Sequence, residues 1–539
     1  MTTPALETQA RTTASLLVER LKQYGVSVMF GYPGGPLAPL YDALYHEPAI
    51  RHVLARDEQG AGFMADGYAR ATGRPGVCLA VCGPGVYNAV TPLATAFSDS
   101  VPVLLISGQV PSRDPRSGYY HENDQLRLCE PITKAAFRVE RSEELIPVVD
   151  RAWQALTTGR PGPVLLEVPG DVLRQPCPAM TIPPLPPVPG PVRPCEADLD
   201  AAAECIRSWK RPVILAGGGV ITASATEELR LLAERLGAPV FHTLMGKTAI
   251  RGDHPLAAGL PWKEGTSDAT DMLSRMSPLL RSADGMLAVG CRFTQVTTGT
   301  WSMPVPDSLV HVDIDPTEFH RHYRAKVTVA GDAREALRGL LERLEGPSRP
   351  SWTDPRPPRP TWTVAGRDLC GAIRRAVPQD TIIAVDVTRL AYVMLVEYAA
   401  DGPRTFLHPA AAVSMGFALP AALGARAAFP DRPIVAVMGD GGFQITGMEL
   451  ATAVQEKLPI VVVVVNDRAL TLIKALQHRK YGGRFLGVDL RNPDFERLAG
   501  AFDVKYLGAT SEADLENSVR AALEWVRQGK TVFVEMTLN

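Results

Sequence analysis

The chain has 539 residues, 46% hydrophobic and 21% charged, enough for several sizeable cores and unlike a disordered or fibrous composition. With 56 Lys+Arg against 58 Asp+Glu, the formal charge of −2 supplies no overall attraction to nucleic acid or to an anionic membrane. Eight cysteines without a C-x-x-C pair exclude a disulfide scaffold and fit a reducing compartment, so a cytoplasmic protein that binds neither membrane nor nucleic acid is expected.

No apolar run reaches the roughly 18 residues of a membrane span, and the first residues lack the apolar core of a signal peptide. Two stretches read as linkers: residues 174–196 hold nine prolines and residues 345–360 six. They imply domains at 1–173, 197–344 and 362–539, joined by linkers at 174–196 and 345–361. Within each, short apolar runs alternate with helical patterns, as at Val101–Ser107, Val164–Val168, Pro212–Ala216, Met286–Val289, Leu309–Ile314, Ile382–Val385, Ile434–Met438 and Ile460–Val465. Continuous apolar runs suit strands covered on both faces. The expected fold is therefore three doubly wound α/β domains, each a mostly parallel sheet flanked by helices.

In chain order, the strand-like Val28-Met29-Phe30 leads into Gly31-Tyr32-Pro33-Gly34-Gly35. Arg51–Ala55 then leads through Arg56-Asp57-Glu58-Gln59-Gly60-Ala61 into a helix over Phe63–Thr72. Glu58 falls at a strand-to-helix turn, where an isolated acid is simply stabilised by the helix dipole. Cys78 and Cys82 have metal-pair spacing but sit in an apolar run without a nearby His or Cys partner, which reads as core. In the middle third, Gly217-Gly218-Gly219 after a strand is a weak nucleotide signal.

The last third carries the sharpest chemistry. Ile434–Met438 ends at Gly439-Asp440-Gly441-Gly442-Phe443, a helical stretch follows from about Thr446 to Gln455, and Ile460–Val465 runs into Asn466. This is one βαβ unit, whose right-handed crossover brings both strand ends to the same sheet edge, so Asp440 and Asn466 should meet. A carboxylate, an amide oxygen and the backbone carbonyl of Arg468 are hard ligands suited to Mg²⁺ completed by water and phosphate oxygens. Gly439, Gly441 and Gly442 would let backbone N–H groups approach a diphosphate at a helix N-terminus. Alone, the Gly-Asp-Gly triplet is a tight turn; the second apolar strand ending in Asn is what singles it out.

That strand, Gly-Asp-Gly, strand-Asn pattern resembles the thiamine diphosphate and Mg²⁺ motif. The runs RHVLARDEQGAGFMADGYARATGRPGVCLAVCGPGVYNAV, SDSVPVLLISGQVP, PITKAAFRV, GPVLLEVP, GDGGFQITGMELATAVQEKLPIVVVVVND and YGGRFLGVDLRNPDFERLAGAFDV resemble the acetolactate synthase branch of thiamine diphosphate enzymes, in that family's domain order over essentially the whole chain. The resemblance implies a pyrimidine-binding first domain, a Rossmann-like central domain and a diphosphate-binding last domain. It makes Glu58 the partner of the cofactor's aminopyrimidine, a carboxyl group able to share a proton with the ring. It places Gly34, Pro84, Asn88, Thr388, Met415, Phe443 and Leu470 beside the cofactor with the three glycines above, and Gln109, Tyr120 and His121 with Glu58 in the catalytic set. Met415, otherwise core filler, would support the bent cofactor. The two half-sites are expected from different subunits, which makes a homodimer the smallest competent unit, with tetramers common in the family. FAD, with Arg292 as its contact, stays open: the stretches that surround it in the synthase are present, yet many relatives keep the domain and bind no nucleotide.

The implied reaction is non-oxidative decarboxylation of a 2-oxo acid followed by ligation to a second carbonyl. Several positions depart from the synthase pattern. Val296 stands where an arginine would hold the acceptor's carboxylate, and Leu476 where a tryptophan shapes the acceptor pocket. Tyr120-His121-Glu122 replaces Phe-Gln-Glu in a spelling similar to 5-guanidino-2-oxopentanoate decarboxylase. His121 is of the residue type most used for proton transfer and is a candidate acid, or else a surface-loop histidine. The alternative function is thus a simple decarboxylase releasing an aldehyde from a larger, guanidino-type substrate.

Overall fold

The structure is a computed structural model that describes residues 11–111, 118–177, 181–262, 276–354 and 363–538. Parts of both Pro-rich stretches, 178–180 and 355–361, lie outside the described residues. The chain divides into two compact units, Met1–Pro189 and Gly190–Asn539. The first holds one six-stranded sheet and the second holds two.

Every strand pairing is parallel, and each sheet has helices in its crossovers. In the first sheet the spatial order is Arg51–Leu54, Val28–Gly31, Gly76–Ala80, Val103–Gln109, Val164–Pro169, Ala135–Arg138. The second runs Val327–Ala330, Leu309–Asp313, Gly285–Val289, Pro212–Ala216, Val240–His242, Ala257–Gly259. The third runs Phe406–Leu407, Ile382–Val385, Ile434–Gly439, Val461–Asn466, Val532–Thr537, Lys505–Ala509. The expected α/β architecture is therefore the observed one. The reason is visible in the central strands, where Val103–Gln109 and Val461–Asn466 are buried at every position because helices cover both faces.

In each sheet the strand order reverses between two neighbouring central strands, and this reversal leaves a crevice at their carboxyl ends. In the first sheet these are Val28–Gly31 and Gly76–Ala80; in the third they are Ile382–Val385 and Ile434–Gly439. The glycine-rich and acidic turns singled out in the sequence follow these strands.

Two element boundaries differ from expectation. The helix after the Gly-Asp-Gly turn begins at Asp440, not near Thr446, and runs Asp440–Thr446 before a second helix, Glu449–Gln455. The chain turns directly off the sheet edge, with Gly439 extended as the cap and Asp440 in the first turn, where its charge favours the helix start. The break falls at Gly447, where an added Cβ would lie 2.8 Å from the Phe443 carbonyl oxygen. Likewise the helix expected over Phe63–Thr72 already starts at Glu58, capped by Asp57 accepting from Gln59 N–H. Cys78 and Cys82 are both buried, as expected of core residues.

Within the second unit the two sheets share polar and apolar contacts. Lys247 Nζ donates to the Leu395 carbonyl at 2.7 Å, a guanidinium nitrogen of Arg404 donates to Ile221 O at 3.0 Å, and Gly252 N–H donates to Ala400 O at 3.0 Å. The second Pro-rich stretch thus joins two sheets that belong to one compact unit.

Candidate active site

The crevice of the third sheet is built from three turns. Asp440, almost fully buried, accepts from its neighbour Gly441 N–H at 3.0 Å through one oxygen. Its other oxygen accepts from Asn492 Nδ2 at 2.6 Å. The same amide nitrogen donates to Asn466 Oδ1 at 2.8 Å. The side chains of Asp440 and Asn466 therefore converge on one point, as the crossover argument requires. Asn466 is held from behind by Glu535, which accepts from its Nδ2 at 2.6 Å and from the Tyr506 hydroxyl at 2.8 Å. Burial pushes the Asp440 carboxyl up from its ordinary value, while the Asn492 amide favours the charged form. Arg468 adopts a left-handed φ of 54°, and its carbonyl accepts from Leu490 N–H at 2.7 Å, leaving one lone pair of that oxygen. Carboxylate, amide oxygen and carbonyl form a set of hard donors that suits a Mg²⁺ ion, with the Asn492 amide spanning the two side-chain oxygens such an ion would need.

Around this point the glycines act by lacking a side chain. A Cβ at Gly441 would lie 2.7 Å from Leu470 Cδ2 and 3.5 Å from Met415 Cε, so Leu470 and Met415 flank that backbone. A Cβ at Gly442 would lie 2.8 Å from Asp386 Oδ1, and one at Gly439 would lie 3.2 Å from the Thr388 hydroxyl. Asp386 is fully buried and organises the Met415 turn: its carboxylate accepts from Val387, Gly416 and Ala418 N–H at 2.7, 3.1 and 3.0 Å. Burial pushes its pKa up to about 6, against the pull of those N–H groups. Phe443, expected beside the cofactor, has its ring in the core instead, edge-on to Phe495 and Phe533 at 5.5 and 5.0 Å. Only its backbone faces the turn's chemistry, because a phenylalanine four residues into a sheet-packed helix buries its ring.

The crevice of the first sheet gathers the other group. Glu58, 6% exposed, accepts at Oε2 from Asn88 Nδ2 at 3.1 Å, and its Oε1 would lie 2.8 Å from a Cβ at Gly85. A Cβ at Gly34 would lie 2.6 Å from Val81 Cβ, so the turns after the two switch-point strands touch. Gly83, in a left-handed conformation, would set a Cβ 2.8 Å from the His121 carbonyl. Glu58 and His121 therefore both border the turn Gly83-Pro84-Gly85, and Tyr120 packs edge-on to His121 at 4.8 Å. The helices bearing Glu58 and Asn88 are locked together by Gly62 seated on Pro92 and by a buried ion cluster, in which Arg70 pairs with Asp66 and, at 2.9 Å, with Asp99. The Gln109 amide is engaged within the chain: its nitrogen donates to Asn123 O at 3.0 Å and to Glu167 at 3.1 Å, and its oxygen accepts from Val110 N–H at 2.9 Å.

Three stretches match the domains of one family. Residues 11–128 match the thiamine pyrophosphate enzyme N-terminal TPP binding domain, residues 199–340 its central domain, and residues 386–536 its C-terminal TPP binding domain. The chain belongs to the thiamine pyrophosphate enzyme family. It is 36% identical to a probable acetolactate synthase large subunit of Methanocaldococcus jannaschii, covering 95% of this chain and 89% of that one. It is 34% identical to the acetolactate synthase isozyme 3 large subunit of Escherichia coli, over 98% and 94% of the two chains. With the acetolactate synthase large subunit of Corynebacterium glutamicum it shares 36% identity, over 95% and 85%.

Two features of this thiamine pyrophosphate enzyme escaped the sequence reading. Asn492 lies 26 positions beyond Asn466 in a loop with no apolar period, and its only mark was the turn-forming Asn-Pro pair. Asp386 directly follows the apolar strand Ile382–Val385, and nothing in the sequence marks the backbone N–H groups it binds. Val296 packs against the buried apolar cluster Leu260, Trp262 and Leu395, as do Leu244, Tyr392 and Leu472. Leu476 is half-buried on the helix Thr471–Tyr481. In the central lobe, a Cβ at Gly217 would lie 1.9 Å from Gly290 O, so the glycine-rich turn serves close backbone packing across that sheet's own switch point.

Proposed function

We propose that the protein catalyses decarboxylation of a 2-oxo acid and ligation of the remaining acyl carbanion to a second carbonyl compound, in the manner its relatives' name of acetolactate synthase indicates, using thiamine diphosphate and Mg²⁺. Convergence of Asp440 and Asn466 on a single amide nitrogen is the observation that carries this reading. Those two side chains and the Arg468 carbonyl would hold Mg²⁺. Backbone at Gly439, Gly441 and Gly442 and the Thr388 side chain would line the diphosphate. Met415 and Leu470 would support the cofactor between its two ends. When bound, thiamine diphosphate supplies the carbanion stabilisation that makes loss of CO₂ feasible.

The chain's own residues supply orientation and protons. Glu58 would hold the proton that the pyrimidine of a bound cofactor takes up, and Asn88 fixes the carboxylate oxygen that does not face Gly85. Gly85 is required there, since any side chain would displace Glu58. His121, bordering the same turn, delivers a proton to the departing or ligated product. The apolar surroundings of Val296 favour an acceptor bound without a carboxylate clamp. The reaction is redox-neutral, so no step requires FAD. Tyr32, Tyr87, Tyr119 and Tyr120 are exposed and follow strand ends of the first sheet, which supports a site completed by a second subunit in a homodimer or tetramer. A cytoplasmic location follows from the same reading. The relatives' shared name favours carboligation over simple aldehyde release.

Subunit mixing tests this. Glu58→Gln and Asp440→Asn should each abolish turnover while leaving the fold intact. Mixed and re-associated, they should regain up to a quarter or a half of native activity on the order expected for sites shared between subunits. Failure of the mixture to exceed either variant would refute the shared site.

A further inference from the structure

An acid lies inside the apolar strand Val164–Pro169, and the reaction as proposed gives it no role. Glu167 is completely buried. Its register neighbours are Ser107 on one side and Arg138 on the other, and Gln109, two residues past Ser107, shares that face. Arg138 pairs with one carboxylate oxygen, and Gln109 Nε2 donates to the other at 3.1 Å. The same amide donates to Asn123 O at 3.0 Å, in the loop that bears Tyr120 and His121. Both amide hydrogens of Gln109 are thus committed, one to the acid and one to the loop. Within the loop Glu122 accepts from Gly118 and Tyr119 N–H at 2.8 and 3.2 Å, its far end is tied down by Gln125 Nε2 donating to Gly108 O at 2.9 Å, and His121 sits in it at a left-handed φ of 68°.

Burying a carboxylate costs free energy that Arg138, Gln125 and Gln109 offset only in part, and burial raises its pKa despite all three. A strand in a parallel sheet gains nothing in packing from such a group.

We infer that Glu167 is a positioning residue: through Gln109 it fixes the loop 118–124 and so sets His121 against the turn Gly83-Pro84-Gly85. This rests on the reading of His121 as a proton donor. The carboxylate is needed because it only accepts. A glutamine at 167 would present its own NH₂ to a neighbour that also donates, so one of the two bonds to Arg138 or Gln109 must break and the amide can rotate away from Asn123.

The test uses the full chain loaded with thiamine diphosphate and Mg²⁺. In Glu167→Gln, amide hydrogen exchange across 118–124 should quicken by about tenfold or more relative to the rest of the first unit. With a 2-oxo acid donor, kcat should fall by roughly tenfold to a hundredfold, with KM little changed, as expected of a misplaced proton donor. In a His121→Asn background the same change should cost kcat little further, because the two act on one step. Unchanged exchange in the loop overturns the inference, and so do effects of the two substitutions that multiply. Should Glu167→Gln not fold, Gln109→Met cuts the same link from the other side and must give the same quickened exchange. If His121→Asn alone leaves kcat intact, the His121 reading fails, and the exchange result still decides whether Glu167 holds the loop.

Discussion

Asn492 is the residue whose behaviour separates a metal site from a fortuitous polar cluster. Its amide satisfies two oxygens at once, one of them on the buried Asp440. Asn492→Ala removes that partner and should destabilise the metal-free protein by about 1–3 kcal/mol, the cost of stranding a buried acceptor. Mg²⁺ with thiamine diphosphate would supply the missing charge, so the gap in melting temperature between loaded and metal-free protein should widen. A gap that narrows would make Asn492 a ligand instead. At this scale the sequence was informative where a residue type alone dictates chemistry: Asp440 and Asn466 meet because a βαβ unit allows nothing else. It could not show how the Gln109 amide is engaged, because a glutamine beside a strand end looks the same whatever its amide bonds. Nor could it show where the Phe443 ring packs, since position in a motif fixes the backbone and leaves the ring free to take the core.

Among the elements, two carry measurable strain or charge. The turn before Met415 puts Val413, a β-branched residue, at a φ of 52°, a left-handed conformation such side chains avoid. Val413→Gly should stabilise the protein by roughly 1 kcal/mol after the glycine's own entropy cost, read as a higher melting temperature. A lower one would mean the valine packs well enough to outweigh the strain. The edge strand Arg51–Leu54 holds His52, whose Nε2 is buried without a partner in the described structure and whose ring lies edge-on to Tyr41 at 4.9 Å. Burial lowers its pKa to about 4 from an ordinary 6.5. The folded protein thus refuses a proton that the unfolded chain accepts. The stability this contributes is complete above pH 6.5 and drains away as pH falls towards 4, by up to about 3 kcal/mol. His52→Phe keeps the aromatic edge contact, and its melting temperature should fall less steeply between pH 7 and 4.5 than that of the native chain. Parallel slopes for the two proteins would contradict this. The strands themselves were legible because burial on both faces writes a continuous apolar run, as at Ile382–Val385. The helix at Asp440 was not, because two glycines in a first turn read as a loop unless the sheet edge beside them is known.

For the molecule as a whole, the alternation of runs and helical stretches was enough to yield three parallel sheets, and the prolines between 174 and 196 fall at the division between the two compact units. The second Pro-rich stretch falls between the matches to the central and C-terminal domains, inside the second compact unit. The contacts that unite the second and third sheets, among them Lys247 to Leu395, join residues far apart in sequence and have no local signature. The central claim is the proposed thiamine diphosphate-dependent joining of two carbonyl compounds. Its most direct test is product analysis by mass spectrometry after incubating the purified chain with pyruvate, thiamine diphosphate and Mg²⁺, with and without a second aldehyde. The account predicts CO₂ release matched by a ligated hydroxy-ketone product, lost when Mg²⁺ is chelated. Release of free aldehyde alone, or turnover indifferent to the coenzyme, would contradict it.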